Sequence, residues 1–285
     1  MKRLYDVPAP AKVNLFLHIV GRRPDGYHEL QSVFMLIDWC DHLHFERLDS
    51  GAIERVDSTP GALPEDDLCV RAARALRQAT GCTQGVRITL DKRLPAQAGL
   101  GGGSSDAAST LLALNRLWNL NLRREALAHI GLALGADVPF FIGGRHAWVE
   151  GIGERLTPIA LPRGHLVLVK PPGGASTPQI FADPALKRDS KTATIQGFAA
   201  NGNLESLMAF GHNDLEPVAR ALCPEVGECL HWLADQGLSG RMTGSGTAVF
   251  APCGANPVLG PAPASWQVRV CGNMDAHPLL DWCDG

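Results

Sequence analysis

The stretch that most constrains this chain runs from Leu94 to Ala108, LPAQAGLGGGSSDAA. Four of the five residues from 99 to 103 are glycine: Gly99, Gly101, Gly102 and Gly103. Without a Cβ in the way, backbone N–H groups can turn toward a ligand. Ser104, Ser105 and Asp106 follow, and all three are favoured helix N-caps. Beyond them Ala108, Leu111, Leu112, Leu114, Leu117 and Trp118 recur at three- and four-residue spacing, which predicts a helix with one apolar side. A glycine loop opening a helix gathers free N–H groups and the positive end of the helix dipole at one spot, an arrangement that suits phosphate. The loop is not of the Walker type, because no Gly-Lys-Ser/Thr follows the glycines. It also fails the dinucleotide fingerprint, since the third glycine position falls on Ser104 or Asp106, and this sets a dehydrogenase aside. A plain flexible turn would carry the entropic cost of this much glycine to no end.

The chain has 285 residues, enough for one large domain or two ordinary ones. A hydrophobic share of 45% with 19% charged residues is that of a globular protein. The net charge of -3 argues against nucleic acid held by its phosphates. No apolar run is long enough to span a bilayer, and MKRLYDVPAPAKVN lacks the apolar core of a signal peptide. The eight cysteines form no CxxC pair and read as reduced thiols in a cytoplasm, with Cys283 exposed. No obligate protein partner is indicated.

In chain order, residues 7–20 alternate as a strand entered through prolines, with Lys12 and Asn14 sharing the face opposite Val13 and Leu15. A turn at Pro24-Asp25-Gly26 leads to two further strands, 30–36 and 42–48. A loop over 60–67 precedes a helix over 68–78, with Leu68, Ala72, Ala75 and Leu76 inward and Gly81 beyond its end. A strand at 86–90, a helix at 123–134, paired strands within 147–156 and a strand at 165–169 follow. On local grounds alone Asp137 reads as a helix cap before an apolar run. Ser176-Thr177-Pro178 starts a helix carrying Ile180 and Phe181, and 182–203 reads as irregular. His212-Asn213-Asp214-Leu215-Glu216-Pro217 caps a helical region, followed by a helix over 225–236. Residues 241–250, RMTGSGTAVF, form a second small glycine loop running into a strand, and 252–265 reads as loop. His18, His42 and His44 show no metal spacing, and Trp118, Trp148 and Trp232 read as packing.

Taken together, PAKVNLFLHI, LPAQAGLGGGSSDAA and RMTGSGTAVF resemble, in this order, the three motifs of the GHMP small-molecule kinases. PAKVNLFLHIVGRRPDGYHEL, LGADVPFFI and HNDLEP extend the likeness over nearly the whole chain and narrow it to the family of kinases acting on 4-diphosphocytidyl-2-C-methyl-D-erythritol in the non-mevalonate isoprenoid route. The resemblance implies an α+β fold of two domains, 1–157 of the ribosomal-protein-S5-domain-2-like type and 158–285 ferredoxin-like, with the site in the cleft between them. It implies ATP as phosphoryl donor, taken as Mg-ATP, and phosphorylation of the 2-hydroxyl of that diphosphocytidyl compound. Lys12 and Asp137 match the catalytic pair. The loop from Pro95 through Ala96, Gln97, Ala98, Gly99, Leu100, Gly101, Gly102 and Gly103 to Ser104 and Ser105 would hold the phosphates, and Asp67, Leu68 and Lys92 would line the nucleotide pocket. Asn14, Tyr27, His28, Thr177 and Phe181 match substrate contacts, with Tyr27 and Phe181 sandwiching cytosine while His28 hydrogen-bonds it.

Simple chemistry accommodates these roles. Phosphoryl transfer is mainly positioning and charge stabilisation, so it asks for donors around the phosphates and one group to orient the hydroxyl. An aspartate is a weak base for an alcohol, and a loose transition state tolerates this because the proton leaves late. Lys12 would stabilise charge near the attacking oxygen. Aromatic stacking accepts any base, so hydrogen bonds from His28 must discriminate. A kinase acting on homoserine or mevalonate would have no base to stack on Tyr27 and Phe181. A non-catalytic sensor on the same scaffold would not need both Lys12 and Asp137. No glutamate stands out as a magnesium ligand, so the metal is expected to rest on phosphates and water.

Overall fold

One long hairpin carries the first half of the chain. In the computed structural model, which describes residues 1–57, 64, 66–198 and 202–284, β1 spans Arg3–Arg22 and β2 spans His28–Leu48. They pair antiparallel from Arg3↔Glu46 to Arg22↔His28. The two strands expected over 30–36 and 42–48 are thus one. The residues between them keep the two-residue alternation, with Ile37, Trp39 and Asp41 buried, and a register shift between Pro10 and Ala11 absorbs the irregularity opposite them. Among the described residues β1 pairs with no strand but β2, so Pro8 and Pro10, which lack an N–H, sit on a sheet edge where no ladder donor is missed.

The first sheet has six strands in the order β3-β4-β2-β5-β6, with β1 beside β2. β3 is Ile53–Asp57, β4 Gly85–Asp91, β5 Ala147–Glu150 and β6 Arg155–Pro158. Helices α1 (Leu68–Thr80), α2 (Gly102–Leu117), α3 (Arg124–Leu132) and α4 (Val138–Gly143) belong to this part of the chain. Leu76, Leu111, Leu114, Val138 and Phe140 pack with Val7, Leu36 and Phe45 of the sheet in one core. Each such fully buried side chain is worth about 1.5–3 kcal/mol relative to exposure. Gly81 ends α1 in the left-handed conformation, as its position just past the apolar stripe predicts.

The second sheet runs β10-β7-β9-β8, from β7 (His165–Lys170), β8 (Arg241–Met242), β9 (Val249–Cys253) and β10 (Gln267–Gly272). With it go α5 (Thr177–Ala182), α6 (Ile195–Phe198), α7 (Leu204–Leu207), α8 (Glu216–Leu222) and α9 (Glu225–Asp235). A middle core joins the sheets, where Val13, Leu15, Phe16 and Trp148 of the first meet Leu166, Leu168 and Phe250 of the second. The irregular reading of 182–203 missed α6, a single turn that buries Phe198 against Phe16. In the stretch read as loop from 252, β9 continues to Cys253, and 254–265 holds neither helix nor strand. β10 and the short turn Leu280–Trp282 had no marker in the sequence. Most of the expected 60–67 loop lies outside the described residues. The C-terminal residues fold back on the first sheet: Met274 N donates to Leu36 O at 3.1 Å, His277 N to Gly144 O at 2.8 Å, and Leu279 enters the first core. Cys283, expected at the surface, is half-buried there, and its carbonyl accepts from Arg124 Nη2 at 3.0 Å.

Candidate active site

The free edge of β1 organises the site. Its amides donate outward in turn: Lys12 N to Leu100 O at 3.0 Å, Asn14 N to Thr243 Oγ1 at 2.9 Å, Leu17 N to His212 O at 2.9 Å and Ile19 N to Asp214 Oδ2 at 2.7 Å. One strand edge therefore holds the first glycine loop, the second glycine loop and the HNDLEP turn, far apart in sequence. The loops also grip each other, through Thr247 N to Gln97 O at 3.0 Å and Ala248 N to Ala98 O at 3.2 Å. Gly99 adopts φ +73°, and a Cβ there would lie 2.1 Å from Thr243 O, so only glycine allows this approach.

Helix α2 starts earlier than the cap residues suggest. It begins at Gly102, and its N-cap is Gly101 in the left-handed conformation, with no side-chain cap. Ser104, Ser105 and Asp106 lie inside its first turns, a correction to their reading as caps. Ser105 N donates to Gly101 O at 2.9 Å and its Oγ to Pro10 O at 2.7 Å, and Ser105 is fully buried. Gly102, Gly103 and Ser104 are left as first-turn amides without an intrahelical acceptor. Proline carbonyls on β1 and serine hydroxyls on α2 thus fix the loop against the strand, with Ser109 Oγ to Pro8 O at 2.8 Å as the second tie.

Lys12 is only 3% exposed. Its Nζ donates to Asn14 Oδ1 at 2.6 Å, stands 3.5 Å from Asp137 Oδ2 and lies 4.5 Å from the centre of the Phe34 ring. Asn14 Nδ2 donates to Ser32 Oγ at 2.9 Å, which orients its oxygen toward the lysine. Asp137 occupies the cap position of α4 but makes no cap bond. Its carboxylate instead faces Lys12 and stays accessible, with the side chain 29% exposed. Asp137 thus starts α4 without capping it through its side chain, and the simple cap reading is overturned.

These groups line a cleft of about 790 Å³ between the two sheets. One end is walled by Leu68, Arg71, Lys92 and Gly103, the other by Leu30, Thr177, Phe181 and Leu215, with the loop from Pro95 to Ser104 between. Lys92 Nζ donates to Asp41 Oδ2 at 2.5 Å and to Asp106 Oδ2 at 2.7 Å. Burial opposes the Lys92 charge, yet Asp106 and Asp41 together hold its pKa above the usual lysine range. Burial pushes Asp106 up to about 8, against the pull of Lys92 and with the help of Asp41. Asp41 is fully buried and also accepts from Arg93 N and Leu94 N at 2.6 and 2.7 Å. Asp67 is occupied structurally: it caps α1 through Val70 N at 3.0 Å and pairs with Arg55 Nη1 at 3.0 Å. Leu68 remains free to line the pocket.

At the other end, Thr177 Oγ1 and Ser245 Oγ are 2.6 Å apart, tying α5 to the second glycine loop. His28, not Tyr27, lies against Phe181, with ring centres 5.1 Å apart and an angle of 33°. Tyr27 is 60% exposed at the hairpin tip, and among the described residues no ring contact joins it to Phe181. The two rings expected to sandwich cytosine are thus not in contact with each other, as a gap that admits a base requires. Arg188 holds this corner through bonds to His28 Nε2 and to main-chain carbonyls. Nothing in the sequence marked Arg188, Asp41 or the anchoring role of Asp106. Thr243 could be anticipated only as part of the second glycine loop. Among the described residues no three His, Cys, Asp or Glu side chains converge as a metal site, and no helix is long and apolar enough to cross a membrane.

Comparison with known proteins agrees with this geometry. The profile of the GHMP kinases N terminal domain matches residues 67–145, and that of the GHMP kinases C terminal domain matches 195–258. The 4-diphosphocytidyl-2-C-methyl-D-erythritol kinase of an Acidovorax species is 62% identical over all of both chains. That of Polaromonas naphthalenivorans is 59% identical over 99% of this chain and 97% of its own. A crystal structure of 4-(cytidine 5'-diphospho)-2C-methyl-D-erythritol kinase superposes with a TM-score of 0.72 at 34% identity, covering 95% of this chain and 99% of that one. A homoserine kinase from Cytophaga hutchinsonii shares the fold alone, with a TM-score of 0.69 at 17% identity over 97% of this chain and 95% of its own. The chain belongs to the GHMP kinases and, within them, to the 4-diphosphocytidyl-2-C-methyl-D-erythritol kinase family.

Proposed function

We propose that the chain transfers the γ-phosphoryl group of ATP to the 2-hydroxyl of 4-diphosphocytidyl-2-C-methyl-D-erythritol, a step toward isoprenoid precursors. The observation that carries this reading is the buried Lys12 beside Asn14 and 3.5 Å from the accessible Asp137, at the mouth of the glycine loop. Relatives of the same name at 62% and 59% identity support the substrate. In this reading the free amides of Gly102, Gly103 and Ser104 and the α2 dipole receive the phosphates. Asp137 orients the 2-hydroxyl and takes its proton as the new O–P bond forms and the bond to the ADP oxygen breaks. Lys12 offsets charge gathering on the attacking oxygen. Leu68 and Lys92 line the adenosine end, while Asn14, Thr177, His28 and Phe181 line the acceptor end. Exposed Tyr27 is available to cover the cytosine face opposite Phe181. Mg2+ arrives with the nucleotide. An ion of this kind keeps several waters and rests largely on the phosphates of its nucleotide. We place the domain boundary between β6 and β7, and the enzyme in the cytoplasm, where its eight unpaired cysteines suit a reducing environment.

A coupled ADP-release assay with Mg-ATP tests the reading. Turnover is expected with 4-diphosphocytidyl-2-C-methyl-D-erythritol and not with homoserine or mevalonate. Turnover of either aliphatic alcohol instead would remove the cytosine pocket while keeping the kinase.

A further inference from the structure

Behind Phe181, which lines the acceptor end of the cleft, stands a residue that no motif marks. Arg188 follows α5 in an irregular segment and is half-buried. Its guanidinium donates to four acceptors: Nη1 to Leu186 O at 2.9 Å, Nη2 to Phe181 O at 3.0 Å and to Asp183 O at 2.7 Å, and Nε to His28 Nε2 at 3.0 Å. Three of these are main-chain carbonyls that fold the segment back on α5. The fourth is the ring that lies against Phe181. An arginine stays protonated and has donors only, so the imidazole nitrogen facing it carries a lone pair. The proton of the neutral ring is then on Nδ1. Burial, followed by the cations of Arg188 and Arg22, lowers the pKa of His28, so a second proton is disfavoured. Among the described residues Nδ1 has no hydrogen-bond partner.

We propose that Arg188 is a specificity-determining positioning residue: it fixes His28 in the Nδ1–H tautomer, so that the ring presents a donor, never an acceptor, to the substrate's base. The inference rests on the reading of this cleft as a cytidine-diphosphate site. Cytosine offers acceptors at O2 and N3, whereas uracil replaces the N3 lone pair with N3–H. A locked donor is met by the N3 of cytosine and opposed by the N3–H of uracil. An unlocked ring could exchange tautomers and accept from uracil. The discrimination that His28 exerts would thus originate in the residue behind it.

The test joins a spectrum to a kinetic ratio. Ring ¹⁵N shifts of the unliganded full-length protein, with His28 assigned by comparison with His28→Asn, are expected to show a protonated Nδ1 and a bare Nε2. Arg188→Gln keeps a hydrogen-bonding side chain whose amide can donate or accept. In it the ring is expected to populate both tautomers, and the preference in kcat/KM for the cytidine compound over its uridine analogue to fall about tenfold or more, since a lost buried pairing is worth that much. The KM for ATP should stay near its starting value. A protonated Nε2 in the unaltered protein would overturn the proposal. So would an unchanged tautomer and an unchanged ratio in both Arg188→Gln and Arg188→Met. A parallel loss on both compounds with the tautomer kept would reduce Arg188 to a loop fastener. Turnover of neither compound would sink the acceptor reading and the specificity role with it, while the spectrum would still decide the tautomer.

Discussion

Lys12 illustrates what a single residue carries here. A lysine ammonium that is 3% exposed needs partners, and it has a neutral amide oxygen at 2.6 Å, an aromatic face and a carboxylate at 3.5 Å. The carboxylate is the looser contact, which leaves Asp137 free to meet a substrate hydroxyl. Asp137→Asn keeps the shape and removes the proton acceptor. Its kcat is expected to fall about a thousandfold or more while nucleotide affinity stays within a few fold. Single-turnover rates and a nucleotide titration check this, and near-normal turnover would take Asp137 out of the base role. Lys12→Arg should not rescue Lys12→Met. The planar fork needs room, and the ammonium is buried between Asn14 Oδ1 at 2.6 Å and the Phe34 ring. Lys12 and Asp137 were legible as a pair through the motifs they sit in, and not from their local sequence. Nothing local in VPAPAKVN or GADVPFF says that a strand residue and a helix cap meet. Tyr27 shows the converse: its motif position was plain, while its exposure at the hairpin tip is a property of the fold.

At the scale of elements, the glycine loop behaves as a joint between two parts of the chain rather than as a freestanding phosphate loop. Gly99 is needed because the backbone of the second loop passes where a side chain would be. Gly99→Ala meets a main-chain oxygen at 2.1 Å and a left-handed φ, the latter alone costing about 1–2 kcal/mol. A stability loss of 2 kcal/mol or more, by order of magnitude, and weakened nucleotide binding are expected in urea unfolding and in a titration. Gly143→Ala is the control, because a Cβ there meets nothing within 4 Å; it should leave both within about 1 kcal/mol. A Gly99→Ala protein as stable as Gly143→Ala would show that the loops do not depend on each other. Elements with clear period, such as α1, α2 and β7, could be read from the sequence to within a few residues. The joined β2 could not, because the polar break at Asp38 and Asp41 looks like a turn when the partner strand is unknown. The α2 start was missed for a related reason. Good cap residues stand beside glycines, and tertiary bonds from Ser105 and Ser109 to β1 decided the boundary.

At the scale of the whole molecule, the C-terminal residues turn two successive units into an interleaved one, and two buried histidines stand where that return is made. His277 Nδ1 accepts from Leu279 N at 3.0 Å beside the bond from His277 N to Gly144 O. His146 Nδ1 accepts from Leu36 N at 3.1 Å, next to the Met274 N to Leu36 O bond. Burial, with Arg124 adding, lowers His277 to about 3, and burial, opposed by Asp275, lowers His146 to about 4. Both rings are neutral in the folded chain, whereas in the unfolded chain they protonate near about pH 6.5. Between that pH and 4 the unfolded state binds more protons, so stability is complete above about 6.5 and declines as acid is added. Each ring should account for a loss of about 2 kcal/mol between pH 6.5 and 5, from roughly 1.5 pH units at 1.36 kcal/mol each. Asparagine keeps an acceptor near the Nδ1 position and cannot be protonated. Urea midpoints at pH 7 and pH 5 should therefore lie closer together in the His146→Asn, His277→Asn double variant than in the parent chain. The protection factor of the Leu279 amide should fall as acid is added in the parent, because the opened chain, unlike the folded one, takes up the proton. If the double variant kept the full acid sensitivity of the parent chain, these two histidines would be excluded as its source.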